Sequence, residues 1–142
     1  MIMTICYLKL DYMVSFDFDG TLGQYPSVQA YAKELVQRGL DVWIVTRRYD
    51  SIERYTPEFN FRYNITNLEE EHKYLFEVAK ECGIVNIKFM NMDDKWKFFK
   101  NSNFIWHLDD DYVEIKDINR YTKTIGISVV NNWKNKCEKL LK

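Results

Sequence analysis

The sequence predicts an α/β fold: a doubly wound, mostly parallel sheet with helices on both faces, of the Rossmann-like kind. The first observation is the continuously apolar run at 42–45, which is typical of a strand covered on both faces. The second is the alternation of such runs with amphipathic helical patterns such as 68–82. The third is length, because 142 residues suffice for one core and leave little room for another. We therefore predict a single domain over residues 1–142.

Hydrophobic periodicity and end signals predict the individual elements in order. The expected strands are 13–18, 42–45, 86–90, 104–108 and 124–130. The expected helices are 27–38 with Ser27 as its N-cap, 68–82 with Gly83 after its end, 95–100, and 133–141. We expect residues 1–12 to add an edge strand or form a flexible extension, and residues 47–67 to be irregular.

Composition excludes several classes of protein. The formal net charge of -1 provides no global attraction to nucleic acid or membranes, so a basic binding site must be local. The three cysteines are widely separated and odd in number, which argues against a disulfide framework or a zinc site. Lys9 and Asp11 interrupt the apolar start of the chain, so it resembles neither a signal peptide nor a membrane span. We expect a cytoplasmic protein without a membrane partner.

The most informative motif is D-F-D-G-T-L, which begins at Asp17 directly after the first predicted strand. Where the strand ends and the chain turns, the carboxylates of Asp17 and Asp19 can reach one crevice. Gly20 permits the backbone angles that such a turn requires. Asp17 can attack phosphorus, since aspartates form acyl-phosphate intermediates, and Asp19 can act as the general acid and base.

Other strand ends supply groups that suit phosphoryl transfer, which needs positioning and charge neutralisation. Thr46 follows the second strand with a hydroxyl that can bind phosphate oxygens, and Lys95 precedes the fourth strand with a cation. Asp109 and Asp110 end the fourth strand. Joined to Asp17, they make an all-oxygen site suited to Mg²⁺.

In this order, the motifs resemble the four-motif signature of the haloacid dehalogenase superfamily. That signature is D-x-D-G-T-L, an apolar strand ending in threonine, a lysine, and a strand ending in paired aspartates. It spans residues 17–110 here. The resemblance implies a magnesium-dependent phosphatase in which Asp17 is the nucleophile and Asp19 is the general acid and base. It also implies that Thr46 and Lys95 bind the phosphate. The metal ligands that it implies are Asp17, the Asp19 carbonyl, Asp109 and Asp110.

Two assignments stay open within this resemblance. Asp111 extends the acidic run, and Asp110 with Glu114 offers a second register for the acidic pair. Lys97 competes with Lys95 for the lysine position. Neither gap between motifs has room for a full cap domain, so we expect an open site. Such a site suits a bulky phosphoester. Alternatively, another subunit of an oligomer could cover the site, and the sequence does not indicate an oligomeric state.

Within the superfamily, the chain looks most like the phosphatase module of phage-type polynucleotide kinase-phosphatases. The similarity lies in Val45-Thr46-Arg47-Arg48 and in the run from Trp106 to Trp133, while the kinase half is absent. It implies that Arg47 and Arg48 bind substrate, and it favours a nucleotide or polynucleotide 3′-phosphate over a small-metabolite phosphate. The alternative to an enzyme is a binding module that has the same fold and binds phosphate but does not catalyse a reaction.

Arginines and tyrosines alternate in the segment after the second strand. Arg54 and Arg62, with Tyr55 and Tyr63, could hold a nucleic-acid backbone and stack on bases, or could belong to a solvated loop. The two interpretations carry equal weight. For the two histidines we expect structural roles: His72 on a helix, and His107 packing on the sheet face opposite the acidic cluster.

Overall fold

The computed structural model describes residues 12–51 and 68–142. Within these ranges, strands and helices alternate along the chain. The strands are β1 (Met13–Phe16), β2 (Asp41–Thr46), β3 (Asn86–Phe89), β4 (Phe104–Asp109) and β5 (Ile125–Ser128). The helices are α1 (Pro26–Gln37), α2 (Leu68–Glu71), α3 (Lys73–Cys82), α4 (Trp96–Phe99), α5 (Tyr112–Tyr121) and α6 (Trp133–Leu140).

The described residues form a sheet of five strands, all parallel, in the order β3-β2-β1-β4-β5. The first described strand lies in the middle of this sheet, the next two extend to one edge, and the last two build the other edge on the far side of β1. Strand order therefore reverses between β1 and β4, where the backbone N–H of Asp17 donates to the Leu108 carbonyl at 2.8 Å. Ligands of open α/β sheets bind at such a reversal, beyond the carboxyl ends of the strands. The predicted α/β fold is confirmed.

Both faces of the sheet are buried. Along β2, Val42 and Ile44 belong to a large apolar cluster formed with α1, α3 and α6. Trp43 and Val45 point the other way, into a smaller cluster formed with α4 and α5. Successive residues of a strand alternate between faces, so a strand between two helical layers must be apolar at every position.

Several helix boundaries differ from those expected. Helix α1 begins at Pro26 with Tyr25 as its N-cap, so the predicted cap at Ser27 is wrong. Proline suits the first position of a helix, because the N–H that it lacks has no partner there. The predicted helix 68–82 is divided at His72, whose φ of -102° and ψ of 8° leave the helical region.

Helix α5 is not among the predicted elements. Asp111 caps it, with a side chain that accepts hydrogen bonds from the backbone N–H groups of Val113 and Glu114. Ile115 and Ile118 are buried against the sheet. The signal was present in the sequence as a capping aspartate followed three residues later by glutamate, but it overlaps the acidic run.

Some predictions fall outside the described residues. These include the edge strand or extension before Tyr12, and the Arg54, Tyr55, Arg62 and Tyr63 part of the basic segment. In the described part of the chain, Cys82 and Cys137 are buried free thiols, and no cap domain is present. No helix in this part combines the length and the apolar character that crossing a bilayer requires.

Candidate active site

The turn after β1 positions the first two carboxylates. Gly20 has a φ of +76°, which L side chains rarely adopt, and this lets the chain fold back so that the N–H of Leu22 donates to the Asp17 carbonyl at 3.1 Å. A Cβ atom at Gly20 would also clash with Oδ2 of Asp110. Glycine is therefore favoured here by the turn, and a side chain at this position would also displace the Asp110 carboxylate.

A buried lysine joins two of the aspartates. Lys95 Nζ donates to Oδ1 of Asp17 and to Oδ2 of Asp109, each at 2.7 Å. Only 2% of Lys95 is exposed. Burial acts to lower the pKa of Lys95, but the charges of the two aspartates raise it above its ordinary value. The lysine therefore stays protonated and compensates part of the buried negative charge.

Asp109 is held by His107 as well as by Lys95. His107 Nε2 lies 2.8 Å from Oδ2 of Asp109, and its Nδ1 lies 2.7 Å from the Ser15 hydroxyl. The expectation that His107 packs on the opposite face is wrong, because residues two apart in a strand share a face. Burial acts against ionisation, but the hydrogen bond from His107 and the charge of Lys95 hold the pKa of Asp109 well below its usual range.

Three carboxylates converge beyond the strand ends. One oxygen from each of Asp17, Asp109 and Asp110 lies within 4.8 Å of the others. Burial, with a further contribution from the charge of Asp109, raises the pKa of Asp17 well above its ordinary value and raises that of Asp110. The lysine alone thus leaves negative charge uncompensated. A divalent cation with oxygen ligands fits this cluster in both charge and chemistry.

The arrangement separates the alternatives that the sequence left open. Oε2 of Glu114 accepts the backbone N–H of Lys95 at 3.0 Å, so Glu114 fixes the start of the lysine segment and is not part of the three-carboxylate cluster. Lys97 is half-exposed and pairs with Asp93 at 2.9 Å. Lys95 is therefore the lysine in the site, and Asp109 with Asp110 is the acidic pair that lies next to Asp17.

Thr46 and Arg47 approach the same point from β2. Thr46 is buried, and its hydroxyl accepts the backbone N–H of Arg48 at 3.3 Å. Arg47 donates through Nη2 to the Met92 carbonyl at 2.5 Å, and its Nη1 lies 3.8 Å from Oε1 of Glu114. Its buried Nε has no hydrogen-bond partner within the described ranges. The guanidinium is thus anchored by the Met92 carbonyl beside Glu114, and Arg47 lines the same cavity as Thr46.

The Arg48 side chain contacts Asp19 directly. Its Nε and Nη2 donate to both carboxylate oxygens of Asp19, at 2.9 and 2.7 Å. Its Nη1 donates to the Glu71 carbonyl and to Nδ1 of His72, each at 3.1 Å. His72 in turn lies 2.9 Å from the Tyr49 carbonyl through Nε2. His72 and Arg48 together fix the position of Asp19, which agrees with a structural role for His72.

These groups surround a cavity of about 160 Å³. Every predicted site residue except Arg48 lines it, and so do Asp111 and Glu114. The cavity is open to solvent and has room for a phosphoryl group. Sequence reasoning missed Ser15 and His107, although the spacing of His107 and Asp109 on one strand was a usable signal. No protein-family model matches the chain, and no curated protein matches it significantly.

Proposed function

We propose that this chain is a magnesium-dependent phosphomonoester hydrolase of the haloacid dehalogenase superfamily that acts through an aspartyl-phosphate on Asp17. One observation carries the proposal. The Asp17 carboxylate lies 2.7 Å from the Lys95 ammonium and within 4.8 Å of ligand oxygens from Asp109 and Asp110. A nucleophile, a cation and a candidate metal site therefore share one small cavity at the reversal of strand order.

In the first step of the proposed reaction, an Asp17 oxygen bonds to phosphorus as the bond to the leaving oxygen breaks. Asp19 gives its proton to that oxygen, which leaves as an alcohol. In the second step, water attacks phosphorus and passes a proton to Asp19, and the bond from Asp17 to phosphorus breaks to release phosphate. Arg48 fixes the direction of the Asp19 carboxylate through both of its oxygens. One of these two hydrogen bonds must therefore open when Asp19 carries the proton.

The remaining residues suit binding of the phosphoryl oxygens. Lys95 and Arg47 supply positive charge and Thr46 supplies a hydroxyl, all lining the same cavity. Asp17, Asp109 and Asp110 would hold Mg²⁺, as the oxygen-only donor set suggests. When bound, the ion supplies the charge neutralisation that lets an anionic substrate approach a carboxylate nucleophile.

For the substrate, we propose a 3′-phosphorylated nucleotide or polynucleotide. The cavity has room for the phosphoryl group and is open to solvent, and no cap closes over it in the described part of the chain. The rest of the substrate would therefore extend into solvent or along the surface, as a long phosphoester can do. A small-metabolite phosphate is the alternative within the same chemistry.

The test is phosphate release from three substrates: a 3′-phosphorylated oligonucleotide, a 3′-mononucleotide and a sugar phosphate, each with Mg²⁺ and with EDTA. We expect metal-dependent release with the highest kcat/KM for the oligonucleotide. A clear preference for the sugar phosphate would replace the substrate assignment and leave the chemistry intact. Intact binding of Mg²⁺ and inorganic phosphate without turnover would replace the enzyme with a binding module.

A further inference from the structure

A buried chain of hydrogen bonds lies behind the acidic cluster, and the proposed chemistry does not use it. It runs from the Ser15 hydroxyl to Nδ1 of His107 at 2.7 Å, and from Nε2 of His107 to Oδ2 of Asp109 at 2.8 Å. Ser15 and His107 are fully buried, and Asp109 is 1% exposed. Substrate cannot reach this serine or this histidine, so the arrangement acts only through Asp109.

The partners determine where the histidine proton is. An ionised carboxylate only accepts hydrogen bonds, so Nε2 must carry a proton toward Asp109. In the neutral ring, Nδ1 is then an acceptor, and the Ser15 hydroxyl is its donor. Ser15 and His107 are neighbours in the register between β1 and β4, so the sheet itself sets the direction of the ring. The opposite tautomer would place a nitrogen lone pair against the carboxylate.

Asp109 is thereby fixed from several directions. Oδ2 accepts from His107 and from Lys95, and Oδ1 accepts the backbone N–H of Asp111 at 3.0 Å. A carboxylate with both oxygens fixed cannot rotate freely, so its remaining lone pairs keep one direction. Ligands held in this way lose less conformational entropy when a metal binds, and loss of their supporting hydrogen bonds weakens metal affinity.

We infer that His107 is a positioning residue that holds the Asp109 carboxylate in the direction required to bind the metal ion, and that Ser15 fixes the ring of His107. The inference rests on the proposed function, because it needs Asp109 to be a metal ligand. His107 itself touches neither substrate nor metal.

The experiment measures Mg²⁺ binding by isothermal titration calorimetry, without substrate, for the wild-type chain and four variants. His107→Gln keeps an N–H donor that can reach Asp109, whereas the shorter His107→Asn does not. Ser15→Ala removes the donor to Nδ1. Thr124→Ala is the matched control: it removes a buried hydroxyl that donates to the Phe104 carbonyl at the other end of β4.

We expect His107→Asn to weaken Mg²⁺ binding by about 10- to 100-fold, Ser15→Ala to weaken it less, and His107→Gln and Thr124→Ala to stay close to wild type. A purely structural role would lower the melting temperature of the variants without this pattern of affinities. A folded His107→Asn protein with wild-type affinity would overturn the inference alone. If that variant does not fold, unchanged affinity in Ser15→Ala overturns it. A wild-type chain that binds no Mg²⁺ would overturn the metal part of the proposed function as well.

Discussion

The ammonium group of Lys95 lies 2.7 Å from a carboxylate oxygen of Asp17 and 2.7 Å from one of Asp109, inside the protein. One buried ammonium group thus forms ion pairs with two buried carboxylates. Breaking a buried ion pair by removing one partner is strongly destabilising, because the other charge stays in a poorly solvated place. The same contact therefore links the stability of the fold to the chemistry of the site.

Lys95→Met should abolish phosphatase activity and destabilise the metal-free protein by about 3–5 kcal/mol. The reason is that Asp17 and Asp109 would then repel each other without compensation. Mg²⁺ should raise the melting temperature of this variant more than that of wild type. Lys97→Met is the matched control, since Lys97 pairs with Asp93 at the surface, and it should change neither property. Thermal unfolding of both variants with and without Mg²⁺ measures these differences. Equal stability of Lys95→Met and Lys97→Met would contradict the prediction.

Arg48→Ala should lower kcat by up to about 100-fold, because a misplaced reacting group costs that much, and should leave KM close to wild type. Lysine cannot reproduce the two-pronged contact with Asp19, so Arg48→Lys should restore little. Arg120→Ala removes the same charge from α5, away from the cavity, and should have no effect. Steady-state kinetics with a 3′-phosphorylated oligonucleotide check this. A raised KM with unchanged kcat would instead mean that Arg48 binds substrate, as the sequence resemblance implies.

Gly20→Ala should destabilise the protein and raise its Mg²⁺ requirement. The left-handed φ of +76° costs an L residue about 1–2 kcal/mol, and the added Cβ would displace the Asp110 carboxylate. Gly39→Ala provides the control, because Gly39 has a similar φ of +88° at the end of α1. It should show the loss of stability alone. Equal Mg²⁺ activation curves for the two variants would remove the argument for Asp110.

EDTA should abolish the phosphatase activity, and Ca²⁺ should fail to restore that activity. Ca²⁺ prefers more ligands at longer distances than Mg²⁺, so it would hold the substrate phosphate out of line with Asp17. Asp110→Ala should raise the Mg²⁺ concentration needed for half-maximal activity, while Glu114→Gln should not. Titration of activity with each ion checks both statements. If only Glu114→Gln shifts the requirement, the acidic pair is Asp110 with Glu114.

The sequence predicted which strand ends meet, because the carboxyl ends of parallel strands share one edge of the sheet. That is why Asp17, Thr46 and Asp109 could be placed in one site before the structure. The hydrogen bond between Ser15 and His107 could not be predicted, since it joins residues 92 positions apart and depends on strand register. Arg47 contacts Met92 and Arg48 contacts Asp19. These different partners depend on the turn after β2, which no local pattern specifies.

In the proposed reaction, Asp17 becomes phosphorylated during turnover. The most direct measurement is the mass of peptides containing residue 17, from the Asp19→Asn variant quenched in acid after reaction with a 3′-phosphorylated oligonucleotide and Mg²⁺. That variant should form the aspartyl-phosphate slowly, because the amide cannot protonate the leaving oxygen, and should retain it, because the amide cannot take a proton from the attacking water. We predict a phosphoryl group on Asp17 in this variant and none when Asp17→Asn is added. Undiminished phosphate release by a folded Asp17→Asn single variant would contradict the account.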